Sequence, residues 1–193
     1  MPVRLMDEVQ ELALRATSPT YIAPSGRPGD DTADFQRLTC SRTLSRRDFA
    51  GAAGDLLNWR MHERTGLQVL ASDIPLRMDT VVLMRWGLGA LSLRIPCRVV
   101  DVVDEPHRQG FTYGTLAGHP EAGEERFLVE RLDDGRIVFT ITAISRPASA
   151  LARIGGPITR AAQRFMTRRY LRALDGRETA SGEGQGETRE QPP

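Results

Sequence analysis

The sequence contains no lysine, because all 26 basic residues of the 193-residue chain are arginine. This excludes mechanisms that need a lysine amine, such as a Schiff base or the phosphate-binding lysine of a P-loop. Two cysteines, Cys40 and Cys97, are too few for a disulfide framework or a cysteine zinc site. The three histidines, His62, His107 and His119, lack metal-ligand spacing. We therefore expect no bound metal and no cofactor.

Long apolar runs are also missing. Asp7, Glu8 and Glu11 interrupt the first 20 residues, so this segment does not read as a signal peptide, and no run approaches the length that spans a bilayer. We expect a cytoplasmic protein with reduced cysteines. The 26 basic and 25 acidic residues give a net charge of +1, which argues against a nucleic-acid partner.

The composition, 40% apolar and 26% charged, is typical of a soluble globular protein. Residues 1–34 are predicted to contain a short amphipathic helix followed by a polar loop rich in proline and glycine. Residues 35–175 are predicted to form the folded domain. Residues 176–193 have no apolar side chain larger than alanine and are predicted to be a disordered acidic tail.

The hydrophobic pattern changes its period twice along the folded domain. A strand is predicted at 35–44, and a helix follows with Asp48 in its capping sequence and apolar residues at helical spacing. Period two then predicts six strands, at 67–72, 80–86, 91–104, 109–116, 124–132 and 136–145. From Pro147 the period returns to 3.6, and an apolar stripe over 158–173 predicts a long final helix.

This order predicts an α+β fold in which a curved, seven-stranded antiparallel sheet wraps around the long C-terminal helix. The order resembles that of the helix-grip folds, the START-like and birch-pollen-allergen-like superfamily. That resemblance implies a cavity between the sheet and the final helix.

One block of the sequence is similar to a known family. Residues 111–127 read FTYGTLAGHPEAGEERF, with a Tyr-Gly-Thr-Leu at 113–116, a His-Pro at 119–120 and a Gly-Glu-Glu at 123–125. Together with 98–105, 144–157 and Trp59, this block resembles the uncharacterised bacterial and plant proteins grouped as domain of unknown function nineteen-ninety. The resemblance covers most of 35–175 and implies a helix-grip-like fold but no established activity.

Strand alternation and the helix stripe give a candidate ligand-binding set that faces the interior. A mostly apolar chamber with a few convergent polar groups is the usual form of a small-ligand site, so the leading hypothesis is binding of a small, largely apolar molecule. The candidate residues are Tyr113, Thr115, His119, Glu125, Phe127, Phe139, Ser145 and Phe165.

Two other readings of these residues stay open. In the first, Glu125, His119 and Tyr113 act as acid and base in a cyclase- or hydrolase-like enzyme. In the second they are structural: Tyr113 is a core tyrosine, His119 orders its loop, and Glu124 and Glu125 pair with Arg126 or Arg146 or cap the loop.

A separate pattern lies on the final helix, where arginines recur every four residues, at Arg160, Arg164, Arg168 and Arg172. They are interpreted as a solvated outer face, as an interaction surface for an anionic partner such as an acidic membrane, or as a surface covered by the chain's own acidic tail. The sequence carries no signal for an oligomeric state.

Overall fold

The computed structural model describes residues 2–21, 35–87, 92–148 and 156–175, and in the last range it describes side chains from Phe165 onward. Within these ranges the chain forms an α+β fold with one large sheet and four helices. The strands are β1 (Arg4–Leu5), β2 (Gln36–Thr43), β3 (Gln68–Ala71), β4 (Val81–Trp86), β5 (Leu93–Glu105), β6 (Arg108–Thr115), β7 (Glu121–Arg131) and β8 (Ile137–Pro147). The helices are α1 (Glu8–Arg15), α2 (Phe49–Leu57), α3 (Arg60–Arg64) and α4 (Gly156–Ala173).

The sheet is mostly antiparallel. Its strand order is β1-β3-β4-β5-β6-β7-β8-β2, so β3 to β8 form a continuous meander and β2 returns to pair with β8. The turn predicted between β7 and β8 is present, with Gly135 at a φ of 78°. This is a backbone conformation that glycine adopts at little cost.

The predicted count of seven strands is wrong, because the sheet in the described residues has eight. The additional strand, β1, pairs in parallel with β3, placing Arg4 opposite Leu70 and Leu5 opposite Ala71. Two residues are too few to show an alternating pattern, so periodicity could not reveal this strand.

The final helix also differs in detail from its prediction. It runs over Gly156–Ala173, so it begins at the glycine before Pro157 rather than after it. Proline in the first turn of a helix is well tolerated, because its missing N–H would have no intrahelical partner there. Most of 147–154, where the hydrophobic pattern first returns to a period of 3.6, lies outside the described residues.

Helix α2 begins where the sequence supplies a cap. The Asp48 carboxylate accepts a 2.9 Å hydrogen bond from the backbone N–H of Gly51, which satisfies one of the free donors at the helix start. The face that carries Phe49, Ala52 and Leu56 is buried. Trp59, at a φ of 62°, separates α2 from α3 and is fully buried.

The core between these helices and the sheet is rich in aromatic rings. Trp59 packs edge-on against Phe111 at 5.2 Å between ring centroids, and Phe127 packs against Tyr170 of α4 at 5.6 Å. His62 of α3 lies among these rings with its side chain fully buried. Helices α3 and α4 therefore share one face of the sheet.

The N-terminal segment crosses the opposite face. Residues 17–21 run beside the end of β6, where the N–H of Thr20 donates to the carbonyl of Thr115 at 3.1 Å. No described helix combines the length and the apolar character needed to cross a lipid bilayer.

Candidate functional site

A cavity of about 330 Å³ lies between the sheet and α4. Strands β4 to β8, the β6–β7 turn and one side of α4 form its walls, which are mainly apolar with a group of polar side chains. The lining residues are Trp86, Leu93, Ile95, Tyr113, Thr115, His119, Pro120, Glu121, Gly123, Glu124, Glu125, Ala143, Ser145, Met166, Thr167 and Tyr170.

Glu125 and Tyr113 form the central polar pair of this cavity. They lie directly opposite each other on β7 and β6, and the Tyr113 hydroxyl donates a 2.6 Å hydrogen bond to Oε2 of Glu125. Burial raises the pKa of Glu125 from 4.5 to about 7; the bond from Tyr113 lowers it and the nearby Glu121 raises it. Burial, and then the charge of Glu125, raise the pKa of Tyr113 well above 10. The carboxyl therefore changes its charge near neutral pH.

Glu121 is a second acidic residue of the cavity, and the sequence analysis missed it. The hydroxyl of Ser145 donates to its Oε2 at 2.8 Å, and burial raises the pKa of Glu121. It was missed because β7 was predicted to begin at residue 124, whereas the strand begins at Glu121. Once β7 is extended, alternation alone places Glu121 on the same face as Glu125.

His119 and Thr115 hold the β6–β7 turn at the edge of the cavity. The backbone nitrogen and the carbonyl oxygen of Glu121 both lie 2.9 Å from Nδ1 of His119, so the ring is tied to the backbone of the turn. Burial lowers the pKa of His119 from 6.5 to about 4. Thr115 accepts a 2.9 Å hydrogen bond from the N–H of Gly123. Both side chains thus order the turn as well as lining the cavity.

Three predicted site residues lie elsewhere. Phe127 and Phe139 are fully buried in the core and do not line the cavity, because their positions lie further along the strands than the polar pair. Phe165 is 49% exposed on α4, where Trp86 and Arg169 contact its ring. The structure therefore brings together the predicted polar residues but not the three predicted phenylalanines.

No arginine lines the cavity in the part of the chain that the structure describes. Arg126 lies on the opposite face of β7, beside a second and more polar depression that also includes Asp101. Arg146 stacks over the ring of Phe35 at 5.1 Å. Neither arginine forms an ion pair with Glu125, so this possible structural role for Glu125 is not observed.

Glycines of the 111–127 block permit close approaches on both faces of the sheet. A Cβ on Gly114 would overlap the ring of Tyr21, which crosses the outer face and donates to Oε1 of Glu124 at 2.8 Å. A Cβ on Gly123 would overlap the carbonyl oxygen of Ile144 on β8. At Gly123 the obstruction is backbone, which cannot move aside, whereas at Gly114 it is the end of the Tyr21 side chain; both close approaches give the motif a structural basis.

His62 lies in the core, where its ring centroid is 5.2 Å from that of Tyr170 and 6.1 Å from that of Tyr113. Neither ring nitrogen has a hydrogen-bond partner among the described residues. Burial lowers the pKa of His62 from 6.5 to about 3. The spacing of His62 excludes a metal-ligand motif, and its charged sequence neighbours Arg60, Glu63 and Arg64 give no sign that the ring is buried in the core.

The arginine pattern of α4 is described in part. Arg168 and Arg172 are exposed, whereas the side chains of Arg160 and Arg164 lie outside the described residues. Over the same described ranges, no group of three or more His, Cys, Asp and Glu side chains is arranged to hold a metal ion.

Comparison with known proteins finds relatives among uncharacterised proteins. A UPF0548 protein of Deinococcus radiodurans is 48% identical over 90 residues, which cover 47% of this chain and 44% of that protein. A UPF0548 protein of Arabidopsis thaliana is 36% identical over 87 residues, which cover 42% of each chain. The matched stretch therefore spans less than half the length of these relatives.

Solved structures show a similar fold at low sequence identity. A protein of Arthrobacter aurescens, solved by NMR, superposes with a TM-score of 0.52 and 10% identity, over 82% of this chain and 96% of that one. A hypothetical protein of Helicobacter pylori gives a TM-score of 0.50 and 15% identity, over 82% of this chain and 97% of that one. At these identities the likeness establishes the fold alone.

The family resemblance read from the sequence is confirmed. A family model covers residues 21–173, a span that includes the whole 111–127 block, the cavity and Tyr21 on the outer face. The chain belongs to the family described as Domain of unknown function (DUF1990).

Proposed function

We propose that this protein binds a small, largely apolar molecule in the cavity between the sheet and α4. The cavity itself carries the proposal: its volume of about 330 Å³ lies within the roughly 300–1,000 Å³ range of small-molecule sites. Apolar side chains such as Ile95 and Met166 form much of its wall, and Tyr113 and Glu125 supply a hydrogen-bonding pair that could orient a ligand. This combination is typical of binding sites rather than of packing defects.

The proposal includes the helix-grip arrangement, in which the sheet wraps around α4. Two observations support it: Tyr170 and Leu174 of α4 are buried in the core, and Met166 and Thr167 face the cavity one turn earlier. We further propose that residues 35–175 act as the binding domain, that 1–34 and 176–193 are accessory segments, and that the protein works in the cytoplasm.

Native mass spectrometry of protein purified from its own host tests the binding proposal. We expect a species heavier than the polypeptide that loses a small molecule on collisional activation. An Ala143→Trp variant should fill the cavity from β8, and we expect it to lack the heavier species. A matched Leu132→Trp variant changes a leucine that is 38% exposed and does not line the cavity, and it should retain the ligand.

Uptake of a neutral dye, N-phenyl-1-naphthylamine, provides a second measurement. We expect its fluorescence to rise with the wild-type chain and much less with Ala143→Trp. A wild-type chain that carries no small molecule and takes up no dye would contradict the proposal.

A second candidate function is acid–base catalysis by Glu125, His119 and Tyr113. The specific observation in its favour is that all three line one cavity and that the pKa of Glu125 is about 7, in the range suited to general acids and bases. For a hydrolase, a panel of aryl esters should be turned over by the wild-type chain and by Glu130→Gln but not by Glu125→Gln. Equal rates for the wild-type chain and Glu125→Gln would exclude this role.

A third candidate is contact between α4 and an anionic membrane. It is favoured by the exposure of Arg168 and Arg172. Vesicles that contain phosphatidylserine should bind the chain at low ionic strength and release it as salt screens the charges. No sedimentation with such vesicles at low salt would eliminate this candidate.

A further inference from the structure

In the part of the chain that the structure describes, the charged residues of the cavity wall are acidic. Glu121, Glu124 and Glu125 border it, and none of the described arginines does. The Glu124 carboxylate is held from the outer face by Tyr21. Two carboxyls remain in the cavity: that of Glu121, which accepts from Ser145, and that of Glu125, which accepts from Tyr113.

The Glu125 carboxyl has spare hydrogen-bonding capacity. Its Oε2 accepts from Tyr113, and a carboxylate has about four acceptor positions on its two oxygens. The titratable groups that face it are Tyr113 on β6, Cys97 on β5, Glu121 on β7 and Tyr170 on α4. Each of these groups is neutral or negative, so none of them compensates a negative charge on Glu125.

A buried carboxylate is costly unless a cation or several hydrogen bonds stabilise it. Among the described residues no cation does so here, and a ligand can supply one. We propose, on the basis of the proposed function, that the ligand is an apolar molecule with one protonated amine, whose N–H groups donate to the Glu125 carboxylate while its apolar part fills the cavity beside Ile95 and Met166. A charge-assisted hydrogen bond of this kind is about twice as strong as a neutral one.

The same arrangement disfavours anionic ligands. A carboxylic acid bound in the cavity would place its negative charge beside Glu125, and like charges in a buried site repel strongly. Fatty acids and other apolar acids are therefore the class of ligand that this cavity should reject.

Three matched naphthalene probes test this inference on the full chain: 2-naphthylethylamine, 2-naphthylethanol and 2-naphthylacetic acid. Their apolar part is the same, and only the head group changes. At about pH 8.5 we expect the amine to bind roughly tenfold or more tightly than the alcohol, and the acid to bind more weakly than both. Titration calorimetry measures all three affinities.

The dependence of the amine affinity on pH distinguishes binding at the Glu125 carboxylate from binding that does not involve this group. Protonation of this carboxyl removes the negative charge that the amine binds, so the amine affinity should fall by about tenfold or more between about pH 8.5 and pH 5.5. The affinity of the neutral alcohol should not follow this trend.

A Glu125→Gln variant should lose the preference for the amine over the alcohol, because it keeps the shape of the side chain without its charge. Glu130→Gln, the same change further along β7 in an ion pair with Arg108, should keep the preference for the amine. If the wild-type chain binds the alcohol as tightly as the amine, or the acid most tightly, the inference is overturned and the proposed function stands. If no probe binds, the inference fails, and native mass spectrometry decides the proposed function separately.

Discussion

Tyr113 holds the Glu125 carboxyl through a 2.6 Å hydrogen bond across the β6–β7 pair. The two residues are direct partners in the register of these strands, so the backbone fixes their approach and the side chains need little reorganisation to meet. Burial raises the pKa of Glu125 and this bond lowers it. Burial and the Tyr113 hydroxyl therefore act on the protonation of Glu125 in opposite directions.

Removal of that hydroxyl should raise the pKa of Glu125. In a Tyr113→Phe variant the charged carboxylate loses its hydrogen-bond donor while burial is unchanged, so we expect the pKa to move above about 7. Carbon-13 NMR titration of the Glu125 side chain measures this value. Tyr21→Phe removes the corresponding bond to Glu124 on the outer face and should leave the Glu125 titration in place. A pKa that falls or stays constant in Tyr113→Phe would contradict the expectation.

Glu125 should make the fold less stable as the pH rises. Its pKa is 4.5 in an ordinary setting and about 7 in the fold, so the folded state holds a proton that the unfolded state has lost. This contribution to the free energy of unfolding is fully present below pH 4.5 and is lost as the pH rises through about 7. Relative to Glu125→Gln, the free energy of unfolding of the wild-type chain should fall by about 2–3 kcal/mol between about pH 5 and pH 8.

Urea unfolding at the two pH values measures this difference. An Ala143→Ser variant, a change in the same wall without a titrating group, should shift the free energy of unfolding equally at both. A difference between wild type and Glu125→Gln that does not change with pH would contradict the raised pKa.

His62 should have the opposite effect. Burial lowers its pKa from 6.5 to about 3, so its neutral form is favoured in the fold, and stability is lost as the pH falls from 6.5 toward 3. Between about pH 8 and pH 5 this loss should reach about 2 kcal/mol. His62→Phe should remove it, since the surroundings are aromatic and the ring nitrogens have no hydrogen-bond partner in the described residues.

The measurement is again urea unfolding at both pH values. The informative quantity is the difference in the free energy of unfolding between the two pH values, not its absolute size. Phe127→Leu, a substitution without a titrating group in the same aromatic cluster, should cost the same at both pH values. A His62→Phe chain that is still as sensitive to acid as the wild type would disprove this role of His62.

Gly114 and Tyr21 should be energetically coupled. A Cβ at position 114 meets the ring of Tyr21, so Gly114→Ala should destabilise the fold by about 1–3 kcal/mol through overpacking. In a Tyr21→Ala background the same change should cost much less, because the overlapping ring is gone. A double-mutant cycle by chemical denaturation measures the coupling, and additive costs would show that the two side chains do not compete for this space.

The sequence allowed prediction of most of the meander and of the residues that face the cavity. Alternation is strong in β6 and β7, so it placed Tyr113 and Glu125 on one face before their contact was known. It could not tell how far along a strand the cavity extends, which is why Phe127 and Phe139 were included in the predicted site. The local pattern predicts which face of the sheet a side chain occupies. Whether an inward-facing side chain lines the cavity or packs in the core depends on which part of the sheet α4 covers and which part α3 covers.

Other features depend on contacts between distant parts of the chain. A bulge between Val99 and Asp101 shifts the register of β5 and turns Asp101 to the outer face, a change that alternation does not reveal. Tyr21 reaches Glu124 across 103 residues of sequence, and no local pattern encodes such a contact. These features require the folded chain.

The neighbouring glutamates of β7 show how much depends on strand alignment. Glu124 and Glu125 differ by one step of the pleat, and that step assigns one carboxyl to the outer surface and the other to the interior. Slippage of β7 by a single residue would exchange the two, turning Glu125 outward and bringing Glu124 into the interior. The tight fit of Gly123 against Ile144 opposes such slippage. This glycine, which has no side chain to contact a ligand, therefore helps to determine which glutamate faces the interior.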